Sequence, residues 1–304
     1  MDRTIGPVTE AGRVSDVSGR RRAETPLGPA RAAFFHAFGY LHLPGLLSNE
    51  IGWIADEFAA VVADAGPPSG PNRNLPFPFI DRSERLCGLL ALPAIEQLVE
   101  LLLGADANYL GSTGGYFVGD TPWHRDAWQT VSLRMKVAVY LTEVGADTGC
   151  LRVVPSSHAF GDGVRWPSSH LANSQELWGI DQREVPAVPL SSTPGDVIVF
   201  DQTVFHASFG GSPDRTMFTM HFGRHCHTAE ELAELEEHVA TFPRFGITQL
   251  HSDLMRSSAS PRRMSHLTQP MQVEHRLRGM QASIARYRFR RDLRRSERQG
   301  ATHA

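Results

Sequence analysis

The residues most able to do chemistry lie in TPWHRDAW, where His124 and Asp126 stand two apart, and in GDVIVFDQTVFHAS, which ends on His206 and Ser208. Two residues apart on one strand, a histidine and an aspartate face the same side and can reach one ion. Two histidines and one carboxylate on a single face are the ligand set of non-haem iron sites that activate O2, because three positions stay open for substrate and oxygen. His-x-Asp alone is weak. With 14 histidines and 16 aspartates in 304 residues, roughly one such tripeptide is expected by chance.

A second copy does occur, His251-Ser252-Asp253, followed by His266 and Arg276. Order and context separate the two. Several strand-like segments lie between Asp126 and His206, so a strand ending on His206 can cross a barrel and bring a third ligand beside the first pair. The SSASPRRMS stretch between Asp253 and His266 has no room for such strands, and the second set reads as a decoy.

Arg215 follows His206 by nine residues. Arginine grips a carboxylate through two parallel charge-assisted hydrogen bonds, which suits it to anchor a dicarboxylate. Ser208 should face the same way as His206 and offer one more hydrogen bond. Of the 30 lysine and arginine residues only Lys136 is a lysine, and it sits on a strand-like segment in phase with Arg134 and Ala138. Trp123, Arg125, Trp128, Trp166 and Phe209 either line a substrate pocket or pack in the core. His158 reads as a loop-fixing residue.

The elements that must position these groups follow from pattern. Residues 1–24 are polar, Gly-punctuated and Arg-rich and read as a disordered leader. Next come a short helix over PLGPARAAFFHAF, a strand over GYLHLPG, and an amphipathic helix over NEIGWIADEFAAVVAD with Ser48 as its N-cap. A loop runs from Gly66 to Pro78, and SERLCGLLALPAIEQLVELLLG reads as two helices, with Pro93 at a first position and Gly104 as a stop. Strands are expected over 107–118, 131–143, 150–154, 185–190, 197–207 and 215–222, separated by GADTG, PSSH, TPGD and GGSPD turns. Strands at this spacing without interleaved helices argue for an antiparallel sandwich or barrel. Helical pattern resumes at Thr228 and the chain ends in an Arg-dense run. The expected layout is a leader over 1–24, a β domain with N-terminal helices over 25–227, and a helical extension over 228–304.

Composition sets further bounds. Hydrophobic residues make up 41% and the net charge is −3, so the terminal arginine run reads as a solvated helix face or subunit contact, not a nucleic-acid site. No apolar run is long enough to span a bilayer. The N-terminus lacks an apolar signal core, and Cys87, Cys150 and Cys226 are too widely spaced for a disulfide framework or a CxxC metal site. The expectation is a cytoplasmic protein without membrane or nucleic-acid partners, acting on a small molecule and able to self-associate through its C-terminal helices.

WHRD, GCLRVVPSSH (similar to a G-x-L-x-x-x-P-G-S-H pattern), PGDVIVFDQTVFHAS and Arg215 together resemble the phytanoyl-CoA dioxygenase-like branch of the Fe(II)/2-oxoglutarate oxygenases, from about Ala30 to Arg224. PSSH departs from PGSH by one small residue. The resemblance implies a mainly β fold with flanking helices, its core a double-stranded β-helix (jelly-roll, cupin-like). It implies iron(II) held by His124, Asp126 and His206, with Arg215 on the C5 carboxylate of 2-oxoglutarate, Lys136 as a further co-substrate contact, and O2 as oxidant. Relatives that halogenate carry a small residue at the carboxylate position, so Asp126 points to hydroxylation or a related oxidation of an aliphatic C–H, with specialised-metabolite tailoring as the preferred setting. Two rivals remain open on the residues alone: a cupin-like isomerase or hydrolase that ignores 2-oxoglutarate, and a non-catalytic β domain.

Overall fold

The computed structural model describes residues 27–65, 74–75, 77–127, 131–159, 168–245 and 247–277. The expected leader, most of the Gly66–Pro78 loop, Trp128, Trp166 and nearly all of the Arg-dense run lie outside them.

The described strands are β1 (Tyr40–Leu43), β2 (Asn74–Leu75), β3 (Asn108–Tyr116), β4 (Gly119–His124), β5 (Arg134–Tyr140), β6 (Leu151–Val153), β7 (Val188–Leu190), β8 (Val197–Asp201), β9 (His206–Gly211) and β10 (Thr216–Gly223). The α-helices are α1 (Pro29–Phe38), α2 (Ile51–Ala65), α3 (Glu84–Cys87), α4 (Pro93–Leu103), α5 (Ser168–Ala172), α6 (Ser174–Trp178), α7 (Ala229–Thr241), α8 (Asp253–Ser257) and α9 (Pro261–Val273). The strands form two antiparallel sheets, a larger one in the order β1-β8-β5-β10-β3-β2 and a smaller one in the order β4-β9-β6-β7. This is the expected double-stranded β-helix core with helices packed outside it.

Alternation along the central strands decides which residues face the barrel interior. Met135, Val137, Val139, Val197, Val199, Phe218 and Met220 share one buried cluster with Ile54 and Phe58 of α2 and Leu98 and Leu102 of α4. Ala138, Tyr140, Ile198, Phe200 and Met217 share another with Leu151 and Val153 of the smaller sheet. The large sheet therefore carries apolar residues on both faces, one covered by helices and one by the facing sheet. The second face carries an inward row in direct register, Gly111, His221, Lys136 and Phe200.

The structure corrects three local expectations. Ser48 is not an N-cap: α2 begins at Ile51, and Ser48 lies in the preceding turn, its N–H donating to Gly45 O. The segment 197–207 is two strands. Asp201 Oδ1 accepts from the Thr203 N–H (2.8 Å) and hydroxyl (2.6 Å), a side-chain turn that stops β8, so His206 opens β9 instead of ending β8. His124 and Asp126 do not share a strand either. β4 stops at His124, and the N–H groups of Asp126 and Ala127 both donate to Gln202 O (2.9 and 3.0 Å), which pulls the chain out of the ladder.

Pro29 opens α1 and Pro93 opens α4, as helix-start proline should. Thr228 caps α7 with a reciprocal capping box to Glu231. Among the described residues no single helix is long and apolar enough to cross a membrane.

Candidate active site

His124 closes β4 and His206 opens β9, and the two are register partners. Each ring Nδ1 lies 2.9 Å from the carbonyl oxygen two residues earlier, Pro122 for His124 and Val204 for His206. A carbonyl only accepts, so Nδ1 carries the proton in both rings and Nε2 is left as the donor atom for a metal. Asp126 lies between them, with Oδ1 3.8 Å from His124 Nε2 and Oδ2 3.4 Å from His206 Nε2. Among the described residues this is the one group whose ligand atoms fall together, within 4.8 Å of one another.

Electrostatics prepare the set for a cation. Burial pushes the His206 imidazole down to about 4, against the pull of Asp126, so the ring is neutral at pH 7. Burial alone would raise the Asp126 carboxyl, but Lys136, His206 and His124 outweigh it and hold the group well below the usual carboxylate range. Asp126 Oδ2 is buried and has no hydrogen-bond partner. A buried anionic oxygen with nothing to pair with is costly, and a divalent ion held by two imidazoles and that oxygen removes the cost. The donor set fits iron(II).

The loop Pro155–His158 ties the ligand segments together. Ser157 Oγ accepts from the N–H of Phe205 (2.9 Å), beside His206, while Ser157 O accepts from Arg125 Nη2 (2.9 Å), between His124 and Asp126. Ser156 has φ +62°, which explains why a glycine suits this position in the similar PGSH pattern. Here the serine hydroxyl donates to Ala37 O (2.9 Å) and offsets part of the strain. His158 Nε2 bonds His36 O (2.9 Å), so this ring fastens the loop to α1.

Arg215 precedes β10 and is 3% exposed. Its Nε donates to Phe117 O (2.6 Å), and its Nη1 to Gly149 O (2.6 Å) and Ser208 Oγ (2.5 Å). Among the described residues no carboxylate forms a salt bridge with it, and burial lowers its pKa. A buried guanidinium with only neutral partners is poised for an anion. The space for its head comes from two glycines: a Cβ at Gly149 would lie 2.5 Å from Nη1, and one at Gly211 2.7 Å from Cζ.

Lys136 Nζ is 2.7 Å from Asp126 Oδ1, so the structure brings the lysine to the carboxylate of the triad. Trp123 and Phe209 are core residues. They cluster with Leu171 and Phe205 under α5, and the Trp123 indole N–H donates to Gln182 O (2.9 Å). Arg125 lies over the Phe205 ring, its Cζ 3.9 Å from the centroid. The second His-x-Asp does not converge on a site. His251 is fully buried and stacked on Tyr109, and Asp253 sits in the first turn of α8.

Two histidines escaped the sequence reading. His221 pairs with Lys136 in register, and its Nε2 is 2.9 Å from Thr219 Oγ1. Burial and then Lys136 hold it well below its ordinary range. His238, on α7, is pushed down to about 3 by burial and then by Arg134, close enough to Asp126 and Lys136 to feel their charges. The available signals were the phase of Met217, Thr219 and His221 along one strand, and the i, i+4 spacing of Glu234 and His238.

A sequence profile of the phytanoyl-CoA dioxygenase (PhyH) family matches residues 35–217, more than half of the chain. The chain belongs to the phytanoyl-CoA dioxygenase family. It is accordingly a 2-oxoglutarate-dependent non-haem iron enzyme, with iron, 2-oxoglutarate and O2 as cofactor and co-substrates. No curated protein matches it significantly.

Solved structures share the fold. The carbocyclase SnoK from nogalamycin biosynthesis aligns with TM-score 0.53 at 19% identity, over 65% of this chain and 84% of that one. EctD from S. alaskensis with bound Fe gives 0.52 at 22%, over 71% and 80%. The epimerase SnoN, also from nogalamycin biosynthesis, gives 0.51 at 19%, over 64% and 80%. The family match ends before α7, so His238 and Glu234 belong to a segment outside it.

Proposed function

We propose that this PhyH-family enzyme hydroxylates an aliphatic C–H of a small molecule in a tailoring step of specialised metabolism. His124, Asp126 and His206 hold the iron, and Arg215 with Ser208 holds the C5 carboxylate of 2-oxoglutarate. The observation that carries the ligand assignment is the buried, unpartnered Oδ2 of Asp126 beside His206 Nε2, with His124 Nε2 close to the other oxygen of the same carboxylate. When bound, iron and 2-oxoglutarate supply the oxidising power: the co-substrate and O2 leave as succinate and CO2, and one oxygen atom goes to the substrate.

The chain's own residues bind, orient and exclude water. Val204 O and Pro122 O fix the tautomers that free Nε2. Arg215, in its glycine-lined recess, gives a dicarboxylate one orientation, since a guanidinium pairs a carboxylate in its own plane. Phe200, whose ring lies 4.8 Å from that of His206, sets an apolar ring against that ligand. Asp126 argues against halide transfer, because as a ligand to bound iron its oxygen would take the place that a halide needs.

The test is an anaerobic titration with iron(II) and then 2-oxoglutarate, followed by the weak visible charge-transfer band, then a succinate-release screen over candidate metabolites. Product mass separates the outcomes. Hydroxylation adds one oxygen, desaturation or ring closure removes two hydrogens, and epimerisation changes nothing. A band without any oxygenated product across substrates that drive succinate release sinks the hydroxylase assignment.

A further inference from the structure

We propose that Lys136 is a positioning residue that reserves one oxygen of Asp126, so that the carboxylate can give the metal only the other. The proposal rests on the reading that Asp126 is an iron ligand. The two oxygens of Asp126 are not equivalent. Oδ1 is 2.7 Å from the Lys136 ammonium, the distance of a charge-assisted hydrogen bond, whereas Oδ2 is buried without a partner and lies 3.4 Å from His206 Nε2. The lysine is well placed to hold its oxygen. β5 lies in the middle of the large sheet, and Lys136 is flanked in register by Phe200 on β8 and His221 on β10.

The number of ligand atoms gives the clamp a purpose. Two imidazoles and one carboxylate oxygen leave three of six positions open, enough for a chelating co-substrate and O2. A carboxylate giving both oxygens would remove the last of these. Lysine suits the task better than arginine because an ammonium is a point donor that can satisfy one oxygen, while a guanidinium fork takes both. That the chain's one lysine stands here, among otherwise exclusively arginine cations, accords with this requirement.

The experiment is isotope-edited infrared difference spectroscopy on the full chain labelled with carboxyl-13C aspartate, with and without Zn(II) or Co(II). Asp126→Asn identifies the metal-sensitive band. In the unmodified protein the asymmetric and symmetric stretches of that band should be widely split, as for a one-oxygen ligand. In Lys136→Met the splitting should narrow to that of a chelating carboxylate. Lys136→Arg should bind the metal severalfold more weakly than the unmodified protein, because its fork competes for Oδ2. A narrow splitting in the unmodified protein overturns the proposal without recourse to any variant. So does a Lys136→Met protein that loads metal and keeps the wide splitting. No metal-dependent aspartate band at all removes Asp126 from the ligand set, and the clamp falls with that reading.

Discussion

His124 and His206 face each other across adjacent antiparallel strands as register partners, with ring centroids 4.2 Å apart. Each ring is locked by a hydrogen bond to the carbonyl two residues before it. One device therefore acts twice, at the end of β4 and the start of β9, and turns both Nε2 atoms to the same point. Asp126 reaches that point from outside the ladder, because Gln202 O takes its backbone N–H.

Loss of any one ligand should abolish the site. His124→Ala, Asp126→Ala and His206→Ala should each lower iron affinity by more than the roughly 10–100-fold that loss of an outer partner costs, and should stop turnover. His251→Ala and Asp253→Ala should bind iron as the parent does. Anaerobic iron titration decides it, and retained iron binding in His206→Ala overturns the assignment.

The buried guanidinium should govern the co-substrate. Removing one partner of a buried charge pair costs about 2–5 kcal/mol, so Arg215→Ala should raise the 2-oxoglutarate requirement on the order of thirtyfold or more. Gly149→Ala should also weaken 2-oxoglutarate, because its Cβ would meet Arg215 at 2.5 Å and its φ is +97°. Iron affinity without co-substrate should be unchanged in both. The charge-transfer band titrated with 2-oxoglutarate gives the answer, and parent-like behaviour in Arg215→Ala makes that residue structural.

Halide should leave the product untouched. With chloride or bromide in excess, mass spectrometry of the reaction mixture should show no halogen in the product, since the proposed Asp126 ligand would leave no place for halide. A halogenated product from the unmodified enzyme refutes this.

Acid lability should diminish in His251→Phe. The ring is fully buried, and burial, with Arg256 adding to it, pushes its pKa down to about 3 from an ordinary 6.5. Below pH 6.5 the unfolded chain takes up this proton and the folded one does not. The stability associated with the neutral ring is therefore complete above that pH and is lost as pH falls toward 3. The neighbouring Asp81 has the opposite sign. Burial raises its carboxyl to about 6, so its contribution is lost as pH rises through that value. Phenylalanine keeps the stack on Tyr109. Denaturant midpoints from pH 7 to 4 should fall less steeply for the variant, and parallel profiles would discount the histidine.

Glu234 fastens α7 to the barrel. Its carboxylate accepts from the Ser132 N–H (3.0 Å) and from Arg134 Nη2 (3.2 Å), and Arg134 is buried. Glu234→Ala leaves that guanidinium without its partner and should cost about 2 kcal/mol or more. Chemical denaturation measures it, and an Arg134→Met/Glu234→Ala pair should recover part of the loss. No recovery would place the cost elsewhere than the ion pair.

The amino-acid sequence by itself determined the types and order of the candidate metal ligands, the arginine proposed as the co-substrate anchor, and the apolar alternation that makes strands of 134–140 and 216–223. These are local signals, because strand phase and turn chemistry act over a few residues. Local pattern also misled where a distant group intervened. Nothing near Asp126 reveals that Gln202 O draws it off the strand, and nothing near His206 except Asp201 marks the break that makes it a strand opener. Only the tertiary structure decided that Lys136 meets Asp126, that Gly149 and Gly211 clear a recess for Arg215, and that Glu234 of α7 meets Arg134 of β5. Each of these joins residues distant in sequence through sheet register or helix docking. Register and docking are selected by the burial of whole faces, a property that no short stretch of chain possesses.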